Sequence, residues 1–264
     1  MIIDANTHVT ESGQWFHTAH DASIARLRGE IEQAGIDLAL VVPLPNTIDP
    51  DRQHTLLKGE EKMYSAETFV PASFTSVAEA VSAFQQRFSH RPTTFVKFHN
   101  RFGQYHPEDE RFLAVIDAND QLENPHVVGV CGLLHDRHTA YAVDPVIYFF
   151  NLAKRMHCSK LIIMHGAGTH ILRLAEACRD LHHVFIDLSM TLTKYKNTSI
   201  AQDIRWICQH YDRRVIWASD FPESPIVQSL LDFEDVVGEL SEEKRANILG
   251  LNIAKLLNIQ IKGA

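Results

Sequence analysis

The sequence predicts an α/β fold, a (β/α)8 TIM barrel forming a single domain over residues 1–264. Three observations carry this. Eight short apolar runs rich in β-branched residues alternate with longer stretches of helical periodicity along the whole chain. Most of those runs are continuously apolar, as parallel strands covered on both faces require. The 264 residues, shared among eight strand–helix units, leave 33 for each, the length of one βα unit with its loops.

The strands are expected at Ile2–Asp4, Leu38–Leu44, Thr68–Ala72, Thr94–Phe98, Val127–Leu133, Leu161–Met164, Val184–Leu188 and Val215–Ala218. Between them, Ala22–Ala34 places Ile24, Leu27, Ile31 and Ala34 on one face and stops at Gly35, a residue suited to a left-handed C-terminal cap. Ser76–Phe88 opens with Ser76 and has Glu79 three residues later, a capping-box pattern. Further helices are expected at Asp109–Leu122, Pro145–Met156, Ile171–Leu181, Ile200–Tyr211 and Pro225–Val237. Ser241–Leu257 closes the chain, and Gly250 is expected to divide it into two pieces. The rival fold, a doubly wound open sheet, announces itself by a glycine-rich turn after the first strand. Here that turn reads Asp4-Ala5-Asn6-Thr7-His8.

Composition narrows the function. There are 25 Lys+Arg against 33 Asp+Glu, a net charge of −8, and no basic run, which argues against a nucleic-acid partner. No stretch has the roughly 18 apolar residues of a membrane span, and the N-terminus lacks the basic and apolar regions of a signal peptide. Cys131, Cys158, Cys178 and Cys208 form no CxxC pair and read as reduced thiols, so a cytoplasmic location is the expectation.

In such a barrel, chemistry sits at the C-terminal ends of the strands. Those ends carry Asp4, Asn6 and His8; then Lys97, His99 and Arg101; then Cys131, with His135 just beyond; then His165-Gly166-Ala167-Gly168; then Asp187 and Ser189; and finally Ser219-Asp220. The chain holds 16 histidines. His17, His20, His54, His90, His182, His183 and His210 lie in loops or polar runs and read as structural, leaving the strand-end histidines as functional candidates. Thr10–Asp21, with Trp15 and Phe16, and Pro45–Tyr64 are expected to cover the barrel mouth.

Six segments, in order, resemble the amidohydrolase superfamily. "IIDANTHV" is similar to its strand-1 Asp-x-His-x-His signature, "EQAGIDLALVVPLP" to its first helix and second strand, and "FVKFHN" to its strand 4. "LIIMHGAG" is similar to its strand-6 end, "VIWASDFP" to its strand-8 end and "RANILGLNIAKLL" to its closing helix. The branch that fits best is the amidohydrolase-related one, which holds decarboxylases and small-acid hydrolases.

That resemblance implies a divalent metal, often zinc, held by two strand-1 histidines, a strand-5 histidine and the strand-8 aspartate. Two of these are altered: Asn6 replaces the first histidine, and strand 5 offers only Cys131. His8, Asp220 and a Cys131 thiolate would make a three-ligand zinc site with one open position. An Asn amide oxygen is a weak zinc ligand, however, and a lone Cys is more commonly a small buried strand residue, so the ligand count weighs against an occupied site. Lys97 matches the bridging lysine of binuclear members, but the other bridging ligands are missing and substrate binding is the better expectation. The superfamily also contains metal-independent lactonases.

The resemblance makes Asp220 the general base that activates water and His165 the group that polarises the carbonyl. The plainer alternatives are an Asx-type turn cap for Asp220 and a core histidine for His165. Asn6, Lys97, His99 and Arg101 would bind substrate, the last three forming a positive patch suited to a carboxylate. The leading reading is a hydrolase of a small carboxylate-bearing ester, lactone or amide. The others are a metal-dependent decarboxylase of an unsaturated or aromatic acid, and a non-catalytic barrel that binds a small ligand. A homo-oligomer is left open.

Overall fold

The computed structural model describes residues 1–134 and 143–260. Its strands are β1 (Ile3–Thr7), β2 (Leu38–Val41), β3 (Met63–Ser65), β4 (Glu67–Thr68), β5 (Phe95–Phe98), β6 (Val127–Cys131), β7 (Leu161–Met164), β8 (Val184–Asp187) and β9 (Val215–Ile216). Every pairing is parallel. The strands run in sequence order, β1 to β3 and β4 to β9. Ala66 joins the two sheets, its N–H donating to Val41 O at 2.9 Å, so β3 and β4 together form the third stave. The ring closes where β9 runs on to meet β1: Asp220 N–H donates to Asn6 O (3.0 Å) and His8 N–H to Phe221 O (2.8 Å). The eight-stave parallel barrel expected from the alternation is the observed fold.

Alternation along the staves sorts side chains into an inner and an outer layer. Ile3, Ala5, Leu40, Val42, Phe95, Val127, Ile162, Met164, Phe185, Ile216 and Ala218 fill the barrel interior. Outward residues such as Val96, Phe98, Val128 and Val130 pack under the helices α3 (Val77–Phe88), α5 (Glu110–Asp120) and α6 (Pro145–Arg155). On the opposite flank, Val41, Val215 and Trp217 lie under α1 (Ile24–Ala34), α9 (Ile200–His210) and α10 (Ile226–Val237).

The local signals that predicted the helices operate as read. Ser23 and Ser76 cap α1 and α3, accepting from Arg26 N–H and Glu79 N–H, and Gly35 adopts the left-handed φ of 66° that ends α1. Two expectations are corrected. The third strand lies at Met63–Thr68 rather than Thr68–Ala72, because Pro71 cannot donate to a ladder and instead starts a 3-10 turn over Pro71–Ser73. Within Pro45–Tyr64, Asp49 caps a helix over Pro50–Leu56. Gly250 does not divide the closing helix, which runs on through a wider turn at Asn247–Leu251. A Cβ at Gly250 would lie 2.9 Å from Met1 O, so this glycine serves close approach, not a break.

The glycine after β6 shapes the rim directly. A Cβ at Gly132 would lie 2.3 Å from Met164 O and 2.7 Å from Ala167 N, both backbone atoms of the β7 turn. Gly132→Ala is therefore expected to cost about 1–3 kcal/mol, the usual penalty for forcing extra volume into packed backbone. Urea unfolding should show the loss as a lower midpoint at unchanged slope; an unaltered midpoint would mean that the β6–β7 turn yields freely.

Candidate active site

A bulge places the first two polar residues. Ile3 and Asp4 pair with Leu38 and Ala39, but Thr7 pairs with Val41, so three residues of β1 are spanned by two of β2. This breaks strict alternation. Ala5 lines the interior and yet Asn6 also reaches inward, while Thr7 turns aside to donate to Leu40 O at 2.9 Å. Asn6 Nδ2 donates to Asp220 Oδ1 (2.6 Å) and to Ser189 Oγ (3.3 Å), which fixes its amide so that Oδ1 faces Lys97. Lys97 Nζ donates to that oxygen at 3.0 Å.

His8 is set by its other nitrogen. Nδ1 donates to Val42 O at 2.7 Å, so in the neutral ring Nε2 presents a lone pair. Lys97 Nζ stands 3.5 Å from it and Asp220 Oδ1 3.4 Å. Burial and the nearby Lys97 charge push the His8 pKa down to about 4, against the pull of Asp220. Trp15, 2% exposed, stacks on the His8 ring at 5.4 Å and is held by donation of its Nε1–H to Glu223 at 2.6 Å. Thr10–Asp21 thus covers the barrel mouth as expected.

His165 follows β7 at positive φ (58°), as do Gly166, Ala167 and Gly168. Its N–H donates to Asp187 Oδ1 (2.9 Å), its Nδ1 meets Ser189 Oγ (2.9 Å) and Ser189 O (3.2 Å), and its carbonyl accepts from Thr191 Oγ1 (2.6 Å). Ser189 Oγ in turn donates to Asp187. With Nδ1 engaged by Ser189, Nε2 is the ring nitrogen left to meet Cys131. Burial opposes a charge on His165, but Asp220 and Cys131 outweigh it and hold the pKa up at about 9.

Asp220 also sits at positive φ (64°), a conformation that Asp tolerates better than most residues. The turn after it is closed by its backbone carbonyl, which accepts from Glu223 N–H at 2.9 Å, so the carboxylate is not spent as a turn cap. Burial alone would raise its pKa; His165, His8 and Lys97 together hold it far below the usual carboxylate range. Lys97 is 1% exposed, and burial lowers its pKa against the pull of Asp220.

The remaining expected residues divide. His99 Nδ1 accepts from Phe102 N–H at 3.2 Å, and its ring stacks on Phe102. It also hydrogen-bonds Cys131, as does His165, and against the effect of burial these imidazoles bring the thiol well below its ordinary pKa. Arg101 lies over the Phe102 ring at 5.3 Å, close enough for its charge to act on Lys97 and His99. His135 lies outside the described residues. Asp187, Ser189 and Asp4, strand-end residues to which the sequence assigns no role, also act here. Asp187 and Ser189 anchor His165. Asp4, its carboxyl raised to about 7 by burial, accepts from Ser219 N–H (3.0 Å) and ties β1 to the Asp220 turn. An acidic residue following an apolar strand was the available signal for both aspartates. A groove of about 1080 Å³ lies elsewhere, between Leu44–Pro50, Thr68–Phe74 and α3, and holds none of these side chains.

The zinc set His8, Asp220 and Cys131 is not assembled. Among the described residues no group of three or more His, Cys, Asp or Glu is placed to hold a metal ion. His8 and Asp220 meet, but Cys131 is engaged by His99 and His165, and the Lys97 ammonium takes the lone pairs of Asn6 and His8. The donor set does not fit a divalent cation.

Fold and site together define a parallel barrel whose C-terminal rim gathers a carboxylate, a lysine and histidines in a buried cluster. No family model matches the chain, and no curated protein matches it in sequence. Solved structures do match in fold. An uncharacterized TIM-barrel protein from Bordetella bronchiseptica superposes with a TM-score of 0.73 at 11% identity, over 98% of this chain and 99% of that one. The 5-carboxyvanillate decarboxylase of Sphingomonas paucimobilis gives 0.65 at 13% identity, over 98% and 99%. A Burkholderia multivorans amidohydrolase with bound zinc gives 0.64 at 17% identity, over 98% and 100%. The chain shares the barrel on which these proteins are built. No helix among the described residues is long and apolar enough to cross a membrane.

The two central histidines should titrate in opposite directions from the ordinary 6.5. A raised folded-state pKa means that the contribution of His165 to stability is complete below pH 6.5 and is lost as pH rises through about 9. For His8 the folded state binds fewer protons than the unfolded, so stability falls as pH drops from 6.5 toward 4. Proton NMR of the ring C–H signals, assigned with His165→Gln and His8→Gln, should show one histidine titrating well above 7 and one well below 6. Two midpoints near 6.5 would contradict the arrangement.

Proposed function

We propose that this chain is an amidohydrolase-superfamily enzyme that hydrolyses a small carboxylate-bearing ester, lactone or amide without a bound metal. Asp220 accepts the proton of the attacking water and returns it to the leaving group, and protonated His165 turns its Nε2–H from Cys131 to the carbonyl oxygen as that oxygen gains charge. Lys97 and Arg101 form the positive side that receives the substrate carboxylate, beside a His99 ring whose pKa burial lowers. The observation that carries the reading is the buried meeting of Asp220 with Asn6, His8, Lys97 and His165 at the carboxyl rim of the barrel.

The charge balance supports an anionic substrate. The cations that keep Asp220 ionised also weaken it as a base. An incoming carboxylate offsets them and brings Asp220 closer to the basicity that proton transfer needs.

Decarboxylation of an aromatic or unsaturated acid is the second reading. Against the effect of burial, Asp220 and Cys131 beside His165 hold its pKa up at about 9, which suits it to protonate the carbon that loses carbon dioxide.

Chelator-treated protein should turn over members of a panel of lactones and aryl esters that bear a carboxylate. Asp220→Asn should lower kcat by about 10²–10⁴-fold, the range of a lost general base. Carbon dioxide release from aromatic carboxylates, with no ester turned over, would establish the second reading. Absence of any turnover, with Asp220→Asn changing ligand affinity alone, would leave a binding barrel.

A further inference from the structure

We infer that the Lys97 ammonium is a tethered substitute for a divalent cation, held by Asn6 and His8 so that its positive charge receives a substrate oxygen. The inference deepens the hydrolase reading and rests on it for the identity of that oxygen.

The argument starts from lone pairs. Asn6 spends Nδ2 on Asp220 and Ser189, leaving Oδ1 directed at Lys97, 3.0 Å from Nζ. His8 spends Nδ1 on Val42 O, leaving Nε2 directed at the same Nζ, 3.5 Å away. Two neutral acceptors from one strand therefore converge on one buried cation, and Asp220 lies beside both of them. Among the described residues these two are the acceptors of Nζ, so one of its three N–H groups remains for a ligand.

The identity of Asn6 follows from the same geometry. Its amide donates both N–H groups, to Asp220 and to Ser189, and still accepts from Lys97 on Oδ1, whereas a neutral imidazole has a single N–H to give. A Cβ at Gly129 would lie 2.3 Å from the Phe95 ring, so this glycine is what lets Phe95 fill the barrel interior.

Two measurements test this, neither reading turnover, so a failure here is separable from a failure of the hydrolase reading. In the first, metal-free protein is titrated with zinc chloride by calorimetry, and metal content is counted after gel filtration. Wild type and His8→Ala should take up equal zinc, through surface groups alone. The double variant Asn6→His with Lys97→Ala should gain one zinc per chain, and adding Asp220→Asn should remove it. One extra zinc in wild type relative to His8→Ala, or no gain in a folded double variant, overturns the inference. Should the double variant fail to fold, the comparison of wild type with His8→Ala decides alone. In the second, benzoate is titrated as a carboxylate probe. Lys97→Met, close in shape and uncharged, should bind it at least tenfold more weakly than wild type with thermal unfolding still cooperative. Equal affinity in the two, or no benzoate binding by wild type, removes the oxygen-receiving role.

Discussion

The contact between the end of β1 and the turn after β9 is the one on which the rest depends. Asp220 N–H donates to Asn6 O, and the Asn6 side chain donates back to the Asp220 carboxylate. The first bond closes the ring of staves; the second builds the centre of the site. Barrel closure and site assembly are therefore the same event, and the last stave cannot dock without bringing the carboxylate to the amide. Asp4 strengthens the join by accepting from Ser219 N–H.

Burying several ionisable groups in one place is costly unless they are matched. Here they are matched in series. Lys97 and His165 supply positive charge, Asp220 supplies negative charge, and Asn6 and Ser189 relay hydrogen bonds among them. His8 stays neutral because it is buried and Lys97 stands beside it. Each charge state thus depends on its neighbours, which is how one small rim can keep an ionised acid and a protonated imidazole together at neutral pH.

Much of this was legible in the residues themselves. Apolar runs such as Leu161–Met164 are continuous, so they read as buried parallel staves without reference to any neighbour. Strand-end histidines and Asp220 could be placed on the rim because the barrel fixes where strand ends go. What stayed hidden depends on three-dimensional register. Met63–Thr68 is mixed in polarity and so did not look like a stave, and its two halves belong to different hydrogen-bonded sheets. The pairing of Cys131 with His99 and His165 joins three staves and leaves no spacing signature. The partnership of Lys97 with Asn6 spans 91 positions, and nothing local to either residue announces it.

The bulge in β1 has a consequence for how this chain can vary. One surplus residue between Asp4 and Thr7 decides which side chains look into the barrel. Removing any one of them would restore an unbroken pleat and rotate Asn6 or His8 toward the helical layer while leaving the composition of the segment almost untouched. The first stave therefore carries its information as a count as well as an alphabet. Lineages of this protein should tolerate exchanges of residue type there more readily than changes in its length.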